Sequence, residues 1–163
     1  MATASACPGC GLELPERSGP VHDYIGASPA CWALYSELLA RQYQDYSQVE
    51  HRLTVDAYAV QHPGRPEPRA VQSVGVHLVA LLLSVERRAS PTEVMRAIRR
   101  LVATDPGFEW LDPPRPNGAL TVVDVLRDEA TPAEWAGDVW RAWEPHHPRV
   151  AAWLSRASPE GGP

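Results

Sequence analysis

The sequence predicts an all-α protein: a single helical bundle of five or six helices with an N-terminal zinc knuckle packed on one end. Three observations carry that expectation. Ser90-Pro91-Thr92-Glu93 and Thr131-Pro132-Ala133-Glu134 each set a hydroxyl at the cap, proline at the first helical position and glutamate at the third, which is a capping box with its preferred first residue. Apolar residues then recur at helical spacing in several segments. The chain also opens with Cys7-Pro8-Gly9-Cys10-Gly11, two thiols at the spacing of half a tetrahedral metal site.

Composition bounds the rest. A chain of 163 residues that is 44% hydrophobic suits one globular domain with a core that does not depend on its metal for folding. Along 1–163 the pattern divides into a knuckle segment (1–28), a helical core (29–104), a Pro-rich loop (105–119), C-terminal helices (120–157) and a frayed tail (158–163). The net charge of -5 argues against nucleic acid as the main partner. No basic stretch leads into an apolar one, and the longest apolar run, Leu78 to Leu83, is too short to span a bilayer. Three cysteines, an odd number with two in CxxC, fit metal binding in a reducing compartment better than a secreted disulfide framework. The expectation is a cytoplasmic protein with no membrane partner. All 15 basic residues are arginine, which suggests a GC-rich bacterial gene and says nothing about fold.

Taken in order, the knuckle comes first. Gly9 and Gly11 allow the tight turn that aims both sulfurs at one ion. A redox dithiol would follow a buried strand and open a helix, whereas this motif lies at the chain start with Gly11 and Pro15 behind it. The metal reading is favoured over the redox one and over inert surface thiols.

Ser28-Pro29-Ala30-Cys31 repeats the helix-start pattern with cysteine in place of the glutamate. A sulfur there sits in the positive end of the helix dipole, which favours thiolate, the metal-binding form. Cys31 is therefore the third candidate ligand; the rival is a small buried cysteine beside Trp32. The first helix is expected over 29–46, with Trp32, Leu34, Tyr35, Leu38, Leu39 and Tyr43 at apolar spacing, and the second from Val49 to about His62. The short link implies antiparallel packing. Running down about 16 residues and back about 13, at roughly 1.5 Å each, returns the chain to the level of Cys31 near His62 and leaves His51 at the far end. Pro63-Gly64 stops the helix there. His62 is the favoured fourth ligand, with His22, in the linker between Cys10 and Cys31, as its competitor.

A third helix, from about Arg69 to Arg88, carries Val71, Val74, Leu78, Leu81, Leu82 and Val85 as its core stripe. His77 borders that stripe and should lie level with Asp56 on the antiparallel neighbour. Such a pair can be a buried hydrogen bond, a second shell to a metal or an acid/base couple. A fourth helix starts at the Ser90 cap. Arg87, Arg88, Arg96, Arg99 and Arg100 are interleaved with Glu86 and Glu93 and read as a solvated face.

After Ala103 the pattern breaks into DPGFEWLDPPRPNG, a loop too long for a plain connector, and so either a lid or a crossover. Thr121 to Asp124 carries a weaker capping pattern. In EWAGDVWRAWEPHHPRVAAW, Trp135, Val139, Trp140 and Trp143 form an apolar face that ends at Pro145-His146-His147-Pro148, either a metal-ligating pair or a surface corner. There are no internal repeats, no GxGxxG, no phosphate-cradling loop and no GxSxG elbow.

CPGCG, SPACW, HRLTVDAYAVQHPG, SVGVHL and WRAWEPHH together resemble a family of small bacterial proteins known only as a domain of unknown function. The resemblance runs from Cys7 to Trp153, with VDAYAVQHPG its most specific part. It implies that these segments belong to one fold, and carries no activity.

Two functional classes follow. In the first, zinc held by Cys7, Cys10, Cys31 and His62 (or His22) is structural, and the protein binds a protein partner or a small molecule. In the second, a metal-dependent enzyme uses His77, His146 and His147 with Asp56 and Tyr58, in a pocket walled by Tyr58 and Trp143 under the Pro-rich loop. The surplus of histidines over the one that a Cys3His site needs is what separates them.

Overall fold

The computed structural model describes residues 3–158. Among them are seven α-helices and one small hairpin. The hairpin pairs β1 (Ala4–Ala6) with β2 (Glu13–Pro15) antiparallel, Ser5 opposite Leu14, and its connection is the CPGCG turn. The helices are α1 (Pro29–Gln44), α2 (Gln48–Gln61), α3 (Pro68–Leu81), α4 (Pro91–Thr104), α5 (Val122–Leu126), α6 (Pro132–Ala142) and α7 (His147–Arg156). The tail expected over 158–163 lies, beyond Ser158, outside the described residues.

Local chemistry sets most helix starts. Ser28 accepts from the Cys31 N–H, and Ser90, Thr121 and Thr131 each form a full capping box with Glu93, Asp124 and Glu134, so the weaker pattern at Thr121 is a true cap. The count exceeds five or six because α5 is only five residues long and because α7 begins beyond a 3-10 turn at Glu144–His146. That turn is the break expected at Pro145. α1 stops two residues before its expected end, and α3 continues as a wider π turn over Leu82–Glu86.

The continuous helix Pro68–Glu86 is 19 residues long with mean hydropathy 1.4. By length and composition it could cross a bilayer, which the run Leu78 to Leu83 alone could not. Half of it is buried in the bundle, against α2, α4, α6 and α7, as befits the central helix of a core.

The buried apolar residues form one continuous cluster that includes Leu38, Leu78, Leu81, Leu101, Trp135, Trp143 and Trp153. α2 packs most closely on α6 and then α3, while α1 lies on α5 and meets α2 only loosely. The short α1–α2 link therefore does not produce close backbone packing. Aromatic rings hold the two helices apart: Tyr35 stacks on Tyr58 at 3.8 Å, and Trp32 sits 5.9 Å from the same ring.

Candidate metal centre

The turn between β1 and β2 is closed by its own backbone. Cys7 donates to the Leu12 carbonyl at 2.8 Å and Gly11 to the Cys7 carbonyl at 2.9 Å. Gly11 adopts φ +77°, which a side chain would resist. Gly9 is required for a different reason. A Cβ there would lie 2.4 Å from the His62 ring, so only glycine lets the turn lie against the end of α2. Gly26 then donates to the His62 carbonyl at 3.0 Å, tying the linker to the same point.

Cys7, Cys10, Cys31 and His62 converge there, each offering a ligand atom within 4.8 Å of the others. Cys10 and Cys31 sulfurs are 3.8 Å apart, and Cys31 Sγ is 3.4 Å from His62 Nε2. A tetrahedral ion bound at about 2.3 Å by sulfur and about 2.0 Å by nitrogen requires about 3.8 Å between sulfurs and about 3.5 Å from sulfur to nitrogen. The cysteines are free thiols, at a separation far beyond the roughly 2.05 Å of a disulfide. Cys7, Cys31 and His62 are buried and Cys10 is half-buried.

The imidazole is set for ligation. His62 Nδ1 lies 2.7 Å from the Tyr58 carbonyl; a carbonyl only accepts, so Nδ1 carries the hydrogen and Nε2 presents its lone pair to the sulfurs. The Tyr58 ring stacks on His62 at 4.0 Å and its hydroxyl donates to Cys31 Sγ at 3.5 Å. Ser28 donates its N–H to Cys7 Sγ at 3.4 Å. The sulfurs thus receive hydrogen bonds from outside the cluster.

Without a cation the three sulfurs compete for one negative charge. Hydrogen bonds from Cys10 and then Cys31 hold the Cys7 thiol far below its ordinary value. Contact with Cys10 and Cys7, together with burial, drives Cys31 far up. For Cys10 the contact with Cys31 pulls down, but the contact with Cys7 and burial outweigh it and raise the thiol to about 11. Burial, then the charge on Cys31, keeps the Tyr58 hydroxyl protonated, as a donor must be. A cation is what lets all three sulfurs ionise together.

The other candidates lie elsewhere. His22 is exposed and packs edge-on against Tyr24 at 4.3 Å; the structure brings His62, not His22, to the sulfurs. His77 Nδ1 meets Asp56 Oδ1 at 2.7 Å, level as the helix register implies. Tyr58 lies against Cys31 and His62 of the candidate metal cluster instead of in a histidine pocket. His146 Nε2 donates to the Asp112 carbonyl at 2.9 Å, and His147 Nε2 to the Trp140 carbonyl at 2.8 Å while its ring stacks on Trp140. Each of those nitrogens is a donor to main chain, not a free ligand. Among the described residues no group of three or more ligating side chains includes His77, His146 or His147, so the expected convergence does not form.

Two residues the sequence did not mark out hold the neighbourhood together. Asn117, in the Pro-rich loop, donates to the carbonyls of Val60 and Gln61 at 3.1 and 3.3 Å and accepts from Trp143 Nε1 at 2.9 Å. Gln61 donates back to the carbonyls of Asn117 and Leu120, both at 2.8 Å, and accepts from Trp135 Nε1 at 3.2 Å. The loop thereby satisfies last-turn carbonyls of α2. It neither closes the site as a lid nor crosses loosely: it is clamped to the helix end that carries His62, leaving a cleft of about 430 Å³ between the knuckle and Pro113–Asn117. The adjacent Asn117-Gly118 was the available sign of a specific turn, but it names no partner.

No curated protein and no solved structure matches the chain. A family model described as a family of unknown function matches residues 5–144, from the hairpin through α6, so the chain belongs to that family, DUF5946.

Proposed function

We propose that the protein is a structural zinc protein, in which one ion held by Cys7, Cys10, Cys31 and His62 fastens the N-terminal hairpin to the α1–α2 end of the bundle. The observation that carries this is the convergence of four donors within 4.8 Å of one another, with the Cys10–Cys31 and Cys31–His62 separations at tetrahedral spacing and His62 Nε2 left free by the Nδ1 bond to Tyr58. Three sulfurs and an imidazole suit zinc, and four protein ligands leave no position for a reacting water. When bound, the ion supplies charge neutralisation and a cross-link; the surrounding residues supply the rest. Tyr58 and Ser28 hold the sulfurs, the Tyr58 carbonyl fixes the imidazole tautomer, and Gln61 and Asn117 fix the helix end. The three free thiols support a reducing compartment, the cytoplasm of a bacterium. The test is elemental analysis of protein purified without chelator. About one zinc per chain is expected, falling to a small fraction in Cys31→Ser; no stoichiometric metal would refute the reading.

A further inference from the structure

A second group of side chains, on α2 and α3, is unexplained by the zinc centre. Asp56 is 3% exposed, yet only its Oδ1 has a partner, His77 Nδ1 at 2.7 Å; its Oδ2 is buried with none. A pair that served packing alone would be better replaced by apolar residues. Because the carboxylate accepts, His77 Nδ1 carries the hydrogen and Nε2 is the free nitrogen. The His77 side chain is 24% exposed and lines a cleft of about 390 Å³ with Arg69, Gln72, Ser73, Tyr24 and Val102, a volume suited to a small molecule.

Arg69, Ser73 and His77 follow one another at intervals of four along α3 and so stand in a row on one face, with Gln72 alongside. Arg69 enters no ion pair among the described residues. Ser36, Ser155 and Ser158 each donate to the carbonyl four residues back, the usual outlet for a helical serine. No such bond ties up the Ser73 hydroxyl among the described residues.

We propose that this cleft is a second site, which takes a small ligand bearing an oxyanion, a carboxylate or a phosphate ester, and that His77 Nε2 accepts a hydrogen bond from a hydroxyl the ligand carries. Arg69 supplies the positive charge and the planar donor fork that oxyanions fit; Ser73 and Gln72 supply neutral donors. No bond is broken: Nε2 accepts a hydrogen bond from a hydroxyl of the ligand, such as the P–OH of a phosphate, and Asp56 fixes the ring so that Nε2 faces the cleft as an acceptor. The charged and titratable groups around His77 are Asp56 from α2, Arg69 from its own helix and Tyr24 from the linker; α4 contributes only Val102 to the cleft.

The test uses the zinc-loaded full chain labelled with nitrogen-15 and two probes, inorganic phosphate and acetate. Saturable shifts at His77, Gln72 and Ser73 are expected in the millimolar range or tighter. Arg69→Ala, an exposed position, should weaken binding about tenfold or more, and the Nε2 resonance should shift on phosphate binding as that nitrogen accepts the P–OH hydrogen bond. Tighter phosphate would identify phosphate esters as the ligand class, tighter acetate carboxylates. No saturable shift with either probe, or wild-type affinity in Arg69→Ala, would overturn the site; phosphate binding that leaves the Nε2 resonance unmoved would overturn the role of His77. Arg69 is exposed and outside the cysteine and histidine cluster, so Arg69→Ala is expected to keep wild-type helical circular dichroism and zinc content, and the zinc reading is decided separately.

Discussion

Replacing Asn117 by alanine should destabilise the whole bundle, although Asn117 lies in a loop without helix or strand. Its side chain, 6% exposed, serves three buried groups: the carbonyls of Val60 and Gln61 and the indole N–H of Trp143. Alanine leaves all three without a partner. An orphaned buried polar group costs about 1–3 kcal/mol, and because the two carbonyls share one amide the sum is about 3–5 kcal/mol. For a chain of this size that corresponds to a Tm lower by about 6–20 °C. The same change loosens the turn that carries the Tyr58 carbonyl, so zinc affinity should fall about tenfold, as for loss of an outer-shell partner. Thermal unfolding by circular dichroism at saturating zinc separates the two effects, since metal binding itself moves Tm. Arg115→Ala, exposed in the same loop, is the control and should leave Tm within about 2 °C. An Asn117→Ala protein melting with wild type would show that the loop is not clamped to α2 and that the hydrogen bonds contribute nothing net.

Three further outcomes follow from the geometry. His62→Ala should weaken zinc binding about 10²–10³-fold, a quarter of the roughly 10–16 kcal/mol that a structural site supplies, and competition with a chromophoric chelator would measure it; unchanged affinity would point to another fourth ligand. Stripping the metal with a chelator should free the hairpin to exchange its amide hydrogens while the helical circular dichroism mostly survives, because the core cluster, although Cys7 and Cys31 belong to it, is built mostly from residues of α2, α3, α4, α6 and α7; a cooperative loss of all helix would contradict it. The Glu93 and Glu134 carboxyls are held below their ordinary 4.5 by the N–H groups of Ser90 and Thr131. A depressed folded-state value stabilises above 4.5 and that contribution is lost as pH falls through the folded value, so a Glu93→Gln, Glu134→Gln protein should lose less stability on acidification below 4.5 than wild type does; identical acid profiles would refute it.

The parts of this molecule legible in its sequence are those governed by neighbours in the chain. Capping at Ser28, Ser90 and Thr131 is settled within four residues, and the placement of His62 opposite Cys31, or His77 opposite Asp56, needed only the constant rise of two helices. Where partners are remote the reading failed or stayed open. The choice between His22 and His62 depends on how a linker with no regular structure folds back, and Gly9 against the His62 ring decides it. The short link implied antiparallel packing of α1 and α2, but it could not show that a tyrosine stack sets the spacing between the helices. The adjacency of His146 and His147 says nothing about ring direction, and two main-chain carbonyls, 34 and 7 residues away, take their nitrogens. Gln61 and Asn117 are 56 residues apart and carry no local pattern at all.

X-ray absorption at the zinc edge, on protein purified without added metal or chelator, tests the central claim most directly. The account predicts about three sulfur scatterers at about 2.3 Å and one nitrogen at about 2.0 Å, with no oxygen in the first shell. A shell of two sulfurs completed by oxygen, or one dominated by nitrogen and oxygen, would contradict it and remove either Cys31 or His62 from the site.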